Sequence, residues 1–266
     1  AGVALMLGAG TSQATNIHTQ DFENPAWVAN MTDDWQNFNG SIARVASGHN
    51  GITSSGGSSG HAIIGDTGAG APYTRFGGYS SVFGSGFTAS LDIYLDPTWD
   101  LSTGFDWSVA VNGSDGAHQR DFMFHVGQVD QVGLVVNASN NTDGQFNSFK
   151  LLNENGGDKY IVANAGWYTF EQVFYDQGGL LYVDFNLYDD LGGLLYGVTR
   201  GGNAADTIPA EVGGNRYGYM TYNTIEDLAI DNTMLDSNAP VPEPATVSLL
   251  AMGLIGLAAR RAKRKA

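Results

Sequence analysis

The chain has 266 residues, no cysteine, 37 glycines, and 12 Lys and Arg against 27 Asp and Glu. Without cysteine there is no disulfide framework, so stability has to come from a buried core. Five of the 12 cations fall in the last seven residues, which leaves seven against 26 acids ahead of Val241. The resulting net charge of −19 repels nucleic acid and anionic membrane surfaces and excludes a nucleic-acid-binding role.

Ala1 to Gly10 is apolar and rich in Gly and Ala, and Thr11-Ser12-Gln13-Ala14 follows with the small-x-small spacing that signal peptidase accepts. Residues 1–14 are therefore expected to be a partial signal peptide; a buried first strand is the competing reading. Residues 15–238 are expected to form one β-sandwich domain. Asp21-Phe22-Glu23-Asn24-Pro25 and the run with Trp27 and Trp35 read as an opening strand and a loop. Ser47 to Gly60 is low-complexity Ser and Gly, the composition of an exposed connection or a ligand-gripping loop.

From Phe87 the alternation is clear. Phe87, Ala89, Leu91, Ile93 and Leu95 share one face, with Thr88, Ser90, Asp92 and Tyr94 on the other, the period of a half-buried strand. The same period recurs in Phe105-Trp107-Val109-Val111, Phe122-Phe124-Val126, Val132-Leu134-Val136, Trp167-Thr169-Glu171-Val173 opposite Tyr168, Phe170 and Phe174, and Leu181-Val183-Phe185-Leu187. Asn112-Gly113, Asp115-Gly116, Asp143-Gly144, Gly156-Gly157, Gly178-Gly179 and Gly192-Gly193 supply turns between the runs. No amphipathic helix shows in the body, so the fold class is all-β, a sandwich or jelly roll.

Trp167-Tyr168-Thr169-Phe170 through Val183-Asp184-Phe185-Asn186-Leu187-Tyr188-Asp189 resembles the central hairpin of concanavalin A-like or laminin-G-like jelly rolls. Tyr217-Gly218-Tyr219-Met220 followed by Leu228-Ala229-Ile230-Asp231-Asn232 resembles the end of such domains. This architecture hosts lectins, glycosidases and adhesion modules alike, so it implies no activity. The resemblance does imply a structural Ca²⁺ where the first strand meets the last. Asp21, Glu23 and Asp231 are the expected ligands, with Asn232 or Asp227 able to add oxygens.

Catalysis has little support. Asp92 and Asp96 are the nearest approach to a glycosidase pair of carboxylates on one strand, but neither is Glu and Asp96-Pro97 marks the strand's end. His118 and His125 have no metal-binding spacing and read as a surface and a strand histidine. Tyr73, Tyr79, Trp99 and Trp107 are the aromatics available to stack on sugar rings, although its alternation puts Trp107 in the core. The chain is expected not to be an enzyme.

Residues 239–266 have three parts: Pro242-Glu243-Pro244, an uncharged run from Ala245 to Ala259, and the cluster Arg260, Arg261, Lys263, Arg264, Lys265. The order suits a hydrophobic helix in a bilayer with its cations on the cytoplasmic side. This tail resembles the PEP-CTERM sorting signal, which implies recognition by an exosortase protease and release or transfer of the body to the cell surface. The expected function is an exported surface or matrix protein associating with exopolysaccharide through a lectin-like sandwich. The alternatives are a secreted polysaccharide hydrolase using Asp92 and Asp96, or a structural surface protein with no ligand.

Overall fold

The computed structural model describes residues 15–29, 34–37, 41–65, 72–74, 81–83, 86–112, 117–140, 159–203 and 212–237. Expectations for residues 1–14, Tyr79 and the tail, including its hydrophobic run and sorting motif, fall outside these residues. No helix among the described residues is long and apolar enough to cross a membrane.

Two antiparallel eight-stranded sheets face each other. Sheet A holds β1 (Thr15–Gln20), β3 (Ile42–Ala46), β4 (Gly60–Ile64), β7 (Phe87–Leu95), β12 (Gly166–Gln177), β13 (Leu180–Tyr188), β14 (Leu194–Gly201) and β16 (Leu228–Ser237). Its order is β14-β13-β12-β7-β16-β4-β3, and β1 also pairs with β16. Sheet B holds β2 (Trp35–Gln36), β5 (Tyr73–Thr74), β6 (Ser81–Phe83), β8 (Gly104–Asn112), β9 (His118–Val129), β10 (Gly133–Asn140), β11 (Tyr160–Ile161) and β15 (Val212–Thr221). Its order is β11-β10-β9-β8-β15-β5-β2, with β6 on β15. The chain passes from sheet A to sheet B after β1, β4, β7 and β14 and returns after β2, β6, β11 and β15, so strands distant in sequence become neighbours.

The period-two runs become the inner faces. Leu91 and Ile93 of β7, Phe170 and Phe174 of β12, and Val183, Phe185 and Leu187 of β13 are buried against Trp107, Phe122, Phe124 and Val136 of sheet B. Aromatic edges interlock across the gap: Phe124 meets Phe170 at 5.0 Å and Phe185 at 5.0 Å, and Phe122 meets Phe174 at 5.4 Å, all near perpendicular. Such edge-to-face pairs add to the area they bury. Gly178 and Gly179, at φ 68° and 83°, make the left-handed turn that joins β12 to β13. That hairpin lies between the β14 edge and β7.

Two segments differ from the sequence reading. Val132 falls in the turn before β10 and is exposed. Ser47 to Gly60 is not simply a solvated connection, because Ser54 and Ser55 are buried.

Candidate functional site

The β3–β4 loop folds back onto the outer face of sheet A. Its Gly and Ser content is turn chemistry: Gly56 and Gly57 adopt φ 62° and 77°, which side chains with a Cβ rarely occupy, and the short 3-10 turn they close points Ser55 and Ser58 at the sheet. There the loop meets Asp92 and Asp231, cross-strand partners on β7 and β16. Asp231 accepts from Ser55 N–H and Ser58 Oγ, both at 3.1 Å, and from Asn232 N–H at 2.9 Å. Asp92 accepts from Ser55 Oγ at 2.7 Å, Thr169 Oγ1 at 2.6 Å and Asn232 Nδ2 at 2.8 Å. Asn232 reaches Asp92 because the register of β16 shifts after Asp231, with Asn232 itself at φ 46°. A bulge of this kind re-aims a side chain. Trp167 Nε1 donates to Thr53 O at 2.7 Å, and His61 Nδ1 is paired with Ser54 Oγ at 2.9 Å.

The two buried titratable groups under this loop shift in opposite senses. Burial raises the Asp231 carboxyl to about 7, with its hydrogen-bond donors acting the other way. Burial lowers the His61 imidazole to about 4. Glu23, at the loop's far end, accepts from Ser59 N–H at 2.8 Å and Ser59 Oγ at 2.7 Å; the Ser59 hydroxyl bond is the largest influence holding its carboxyl below the usual range.

Asp21, Glu23 and Asp231 are each engaged by hydrogen-bond donors and are not gathered into one cluster. First and last strands do pair, Gln20 opposite Thr233, but the β3–β4 loop supplies serine and amide donors to Glu23 and Asp231. Asp21 is exposed and accepts from Glu23 N–H at 3.1 Å. No group of three or more His, Asp or Glu side chains among the described residues is placed to hold a metal ion. The Asp92 and Asp96 pair also separates: Asp92 is enclosed by the loop, whereas Asp96 Oδ1 caps the next turn by accepting from Thr98 N–H at 2.8 Å and Thr98 Oγ1 at 2.7 Å.

Anchoring the loop builds a cleft of about 200 Å³ at one end of the sandwich. One wall is Asn50, Gly51 and Ile52 of the loop; another is Tyr94, Asp96 and Trp99; the third is Ile225 to Ala229 from the β15–β16 connection. Asn223 fixes that connection, donating to Gly65 O and Ile225 O, both at 2.9 Å, and accepting from Ile225 N–H. Asn50 Nδ2 donates to Asp227 Oδ2 at 3.0 Å and ties the two loops together. Trp99 and Tyr94 are half-buried, and Trp99 packs on the core edge. Half-buried aromatic faces beside carboxylates and an amide suit a polyhydroxylated ring, whose C–H face stacks while its hydroxyls donate. Of the aromatics singled out in the sequence, Trp99 lies in this cleft, while Tyr73 and Trp107 are buried. Tyr94, Glu226 and Asn50 were not foreseen, since only the fold brings three loops together.

On the outer face of sheet B, His125 Nδ1 pairs with Asp106 Oδ1 at 2.8 Å and Nε2 with Ser139 Oγ at 2.7 Å. This has the connectivity of a nucleophile, base and orienting acid. All three residues are buried, Ser139 at 2% exposure, so the set satisfies an interior histidine and is shielded from substrate. His118 is exposed and sits 3.1 Å from Asp121.

The sheet order, the crossing connections and an end cleft framed by loops define a lectin-like, concanavalin A-like jelly roll. Among solved structures the chain is similar to the carbohydrate recognition domain of Emp46p, with TM-score 0.50 and 10% identity over 84% of this chain and 97% of that one. It is also similar to the Emp47p carbohydrate recognition domain, with TM-score 0.49 and 11% identity over 86% and 98%. For peanut lectin the TM-score is 0.43 at 9% identity, over 85% and 98%. At such identities the likeness shows the fold alone. No curated protein matches the chain in sequence. Residues 240–265 match the PEP-CTERM protein-sorting motif, which marks the chain for exosortase-dependent export to the cell surface.

Proposed function

We propose that this is an exosortase-processed surface or matrix protein that holds exopolysaccharide in the cleft between Trp99, Tyr94 and the β15–β16 loop. The observation that carries this reading is the cleft itself, with two half-buried aromatic rings beside Asp96, Asp227 and Asn50 on a sandwich fixed by its sorting signal for the cell exterior. Its likeness to a domain described as a carbohydrate recognition domain is in keeping with that. Before processing, the uncharged run from Ala245 to Ala259 would hold the chain in the inner membrane with Arg260 to Lys265 on the cytoplasmic side.

The test is retention of the purified protein on the producing organism's own exopolysaccharide. Trp99→Ala is expected to lower retention at least about fivefold, since stacking on an aromatic face is worth about 1 kcal/mol or more. The variant should keep the wild-type circular dichroism spectrum, because Trp99 is only half-buried. Unchanged retention in Trp99→Ala would remove this cleft from the binding site.

A further inference from the structure

Charge is what the cleft adds to a generic sugar platform. Among the described residues its lining holds three carboxylates, Asp96, Glu226 and Asp227, and neither Lys nor Arg. His49 Nε2 lies 3.6 Å from Asp227 Oδ2. Each carboxylate keeps capacity for a ligand. Thr98 occupies Asp96 at Oδ1, Asn50 and His49 approach Asp227 at Oδ2, and Glu226 is exposed. Burial, and after it the charge of Asp96, raises the Tyr94 phenol, so Tyr94 stays a neutral hydroxyl and Asp96 acts on the cleft.

We infer that the cleft selects a cationic amino sugar, a hexosamine unit carrying a free ammonium group, over N-acetylated and uronic-acid sugars. The inference deepens the carbohydrate-binding reading and rests on it. A uronate would meet three negative charges with no Lys or Arg among the described lining residues to offset them, and an N-acetylated sugar would use them as hydroxyl acceptors but bring no charge to pair with them. An ammonium group pairs with the carboxylates and lies favourably against the faces of Trp99 and Tyr94. Each solvent-exposed pair contributes a few-fold, so the three together give roughly tenfold.

The experiment measures binding of three oligomers to the intact protein by calorimetry: a β-1,4-linked glucosamine tetramer, its fully N-acetylated form, and a uronic-acid tetramer. The amine form is expected to bind roughly tenfold tighter than the N-acetylated form at about 50 mM salt, and nearly equally at about 500 mM. The uronic-acid form should bind weakest. The combined variant Asp96→Asn, Glu226→Gln, Asp227→Asn should bring amine and N-acetylated binding to within about twofold of each other. Asn suits both the Thr98 turn and the left-handed backbone at residue 227 (φ 56°). Should that variant fail to fold, Glu226→Gln alone, on an exposed side chain, should lower the preference about twofold.

Equal binding of amine and N-acetylated forms overturns the inference and leaves the carbohydrate reading standing. A preference that persists in the variants also overturns it, by assigning the attraction to the net −19 of the body as a whole. Binding of none of the three oligomers or of the native exopolysaccharide sinks both.

Discussion

Asp231 and His61 lie under the same loop and titrate against one another. Between about pH 4 and pH 7 the folded chain keeps a proton on Asp231 that the unfolded chain has released, so this group's contribution to stability falls as pH rises. His61 runs the other way: between about pH 4 and 6.5 the unfolded chain takes up a proton that the folded one refuses, and stability falls as pH drops. Removing either should unmask the other. From about pH 5 to 7, Asp231→Asn should gain roughly 2 to 3 kcal/mol on wild type and His61→Gln should lose roughly 2, read by urea denaturation. Parallel profiles for all three proteins would mean that these groups do not titrate as their burial dictates. Gln172 makes a different point. It occupies an inward position of β12 between Phe170 and Phe174, where the sequence breaks its apolar run, and it is fully buried. Its Nε2 donates to Phe122 O at 3.4 Å and its Oε1 has no partner. Gln172→Met keeps the length and removes the orphaned acceptor, so stability should rise by about 1 kcal/mol.

At the scale of elements, β12 joins the two halves of sheet A, pairing with β13 on one side and β7 on the other. Its Phe170 touches Phe124 at 5.0 Å, Trp107 at 6.3 Å and Phe105 at 6.4 Å, which couples the sheets. Phe170→Ala should cost about 3 to 5 kcal/mol in chemical denaturation, because rings on both sheets would line the cavity. The strands with strict alternation, β7, β8, β9, β12 and β13, were legible because a period of two has one structural meaning over this length. The β14 edge was not: its burial alternates only between half-buried and exposed, so its sequence lacks the apolar face that marks a central strand. The β3–β4 loop was legible as a loop but not as a wall of the cleft. What gives it a place is the pairing of Ser55 and Ser58 with carboxylates more than 30 and 170 residues further on.

Across the whole molecule, the main core is one cluster drawing on both sheets, with Val129 and Val135 a small separate pair, and the body that encloses it carries net −19. A single cooperative melting transition is expected, with its midpoint rising by several degrees between about 0.05 and 0.5 M salt as self-repulsion is screened. Two separate transitions would show that the sheets do not share their core. The all-β class and the sorting signal were determined by sequence alone, because alternation along a strand and the order of prolines, apolar run and cations in a tail are local properties of the chain. Which acids share a site was decided only by the tertiary structure. Asp21, Glu23 and Asp231 stand at matching ends of the chain, yet an intervening loop claims two of them with its own donors. Asp96 lies about 130 residues before Glu226 and Asp227, and the three meet at one cleft because β7 and β16 are neighbours in sheet A. Crossing connections create such neighbours, and no pattern within a single segment records them.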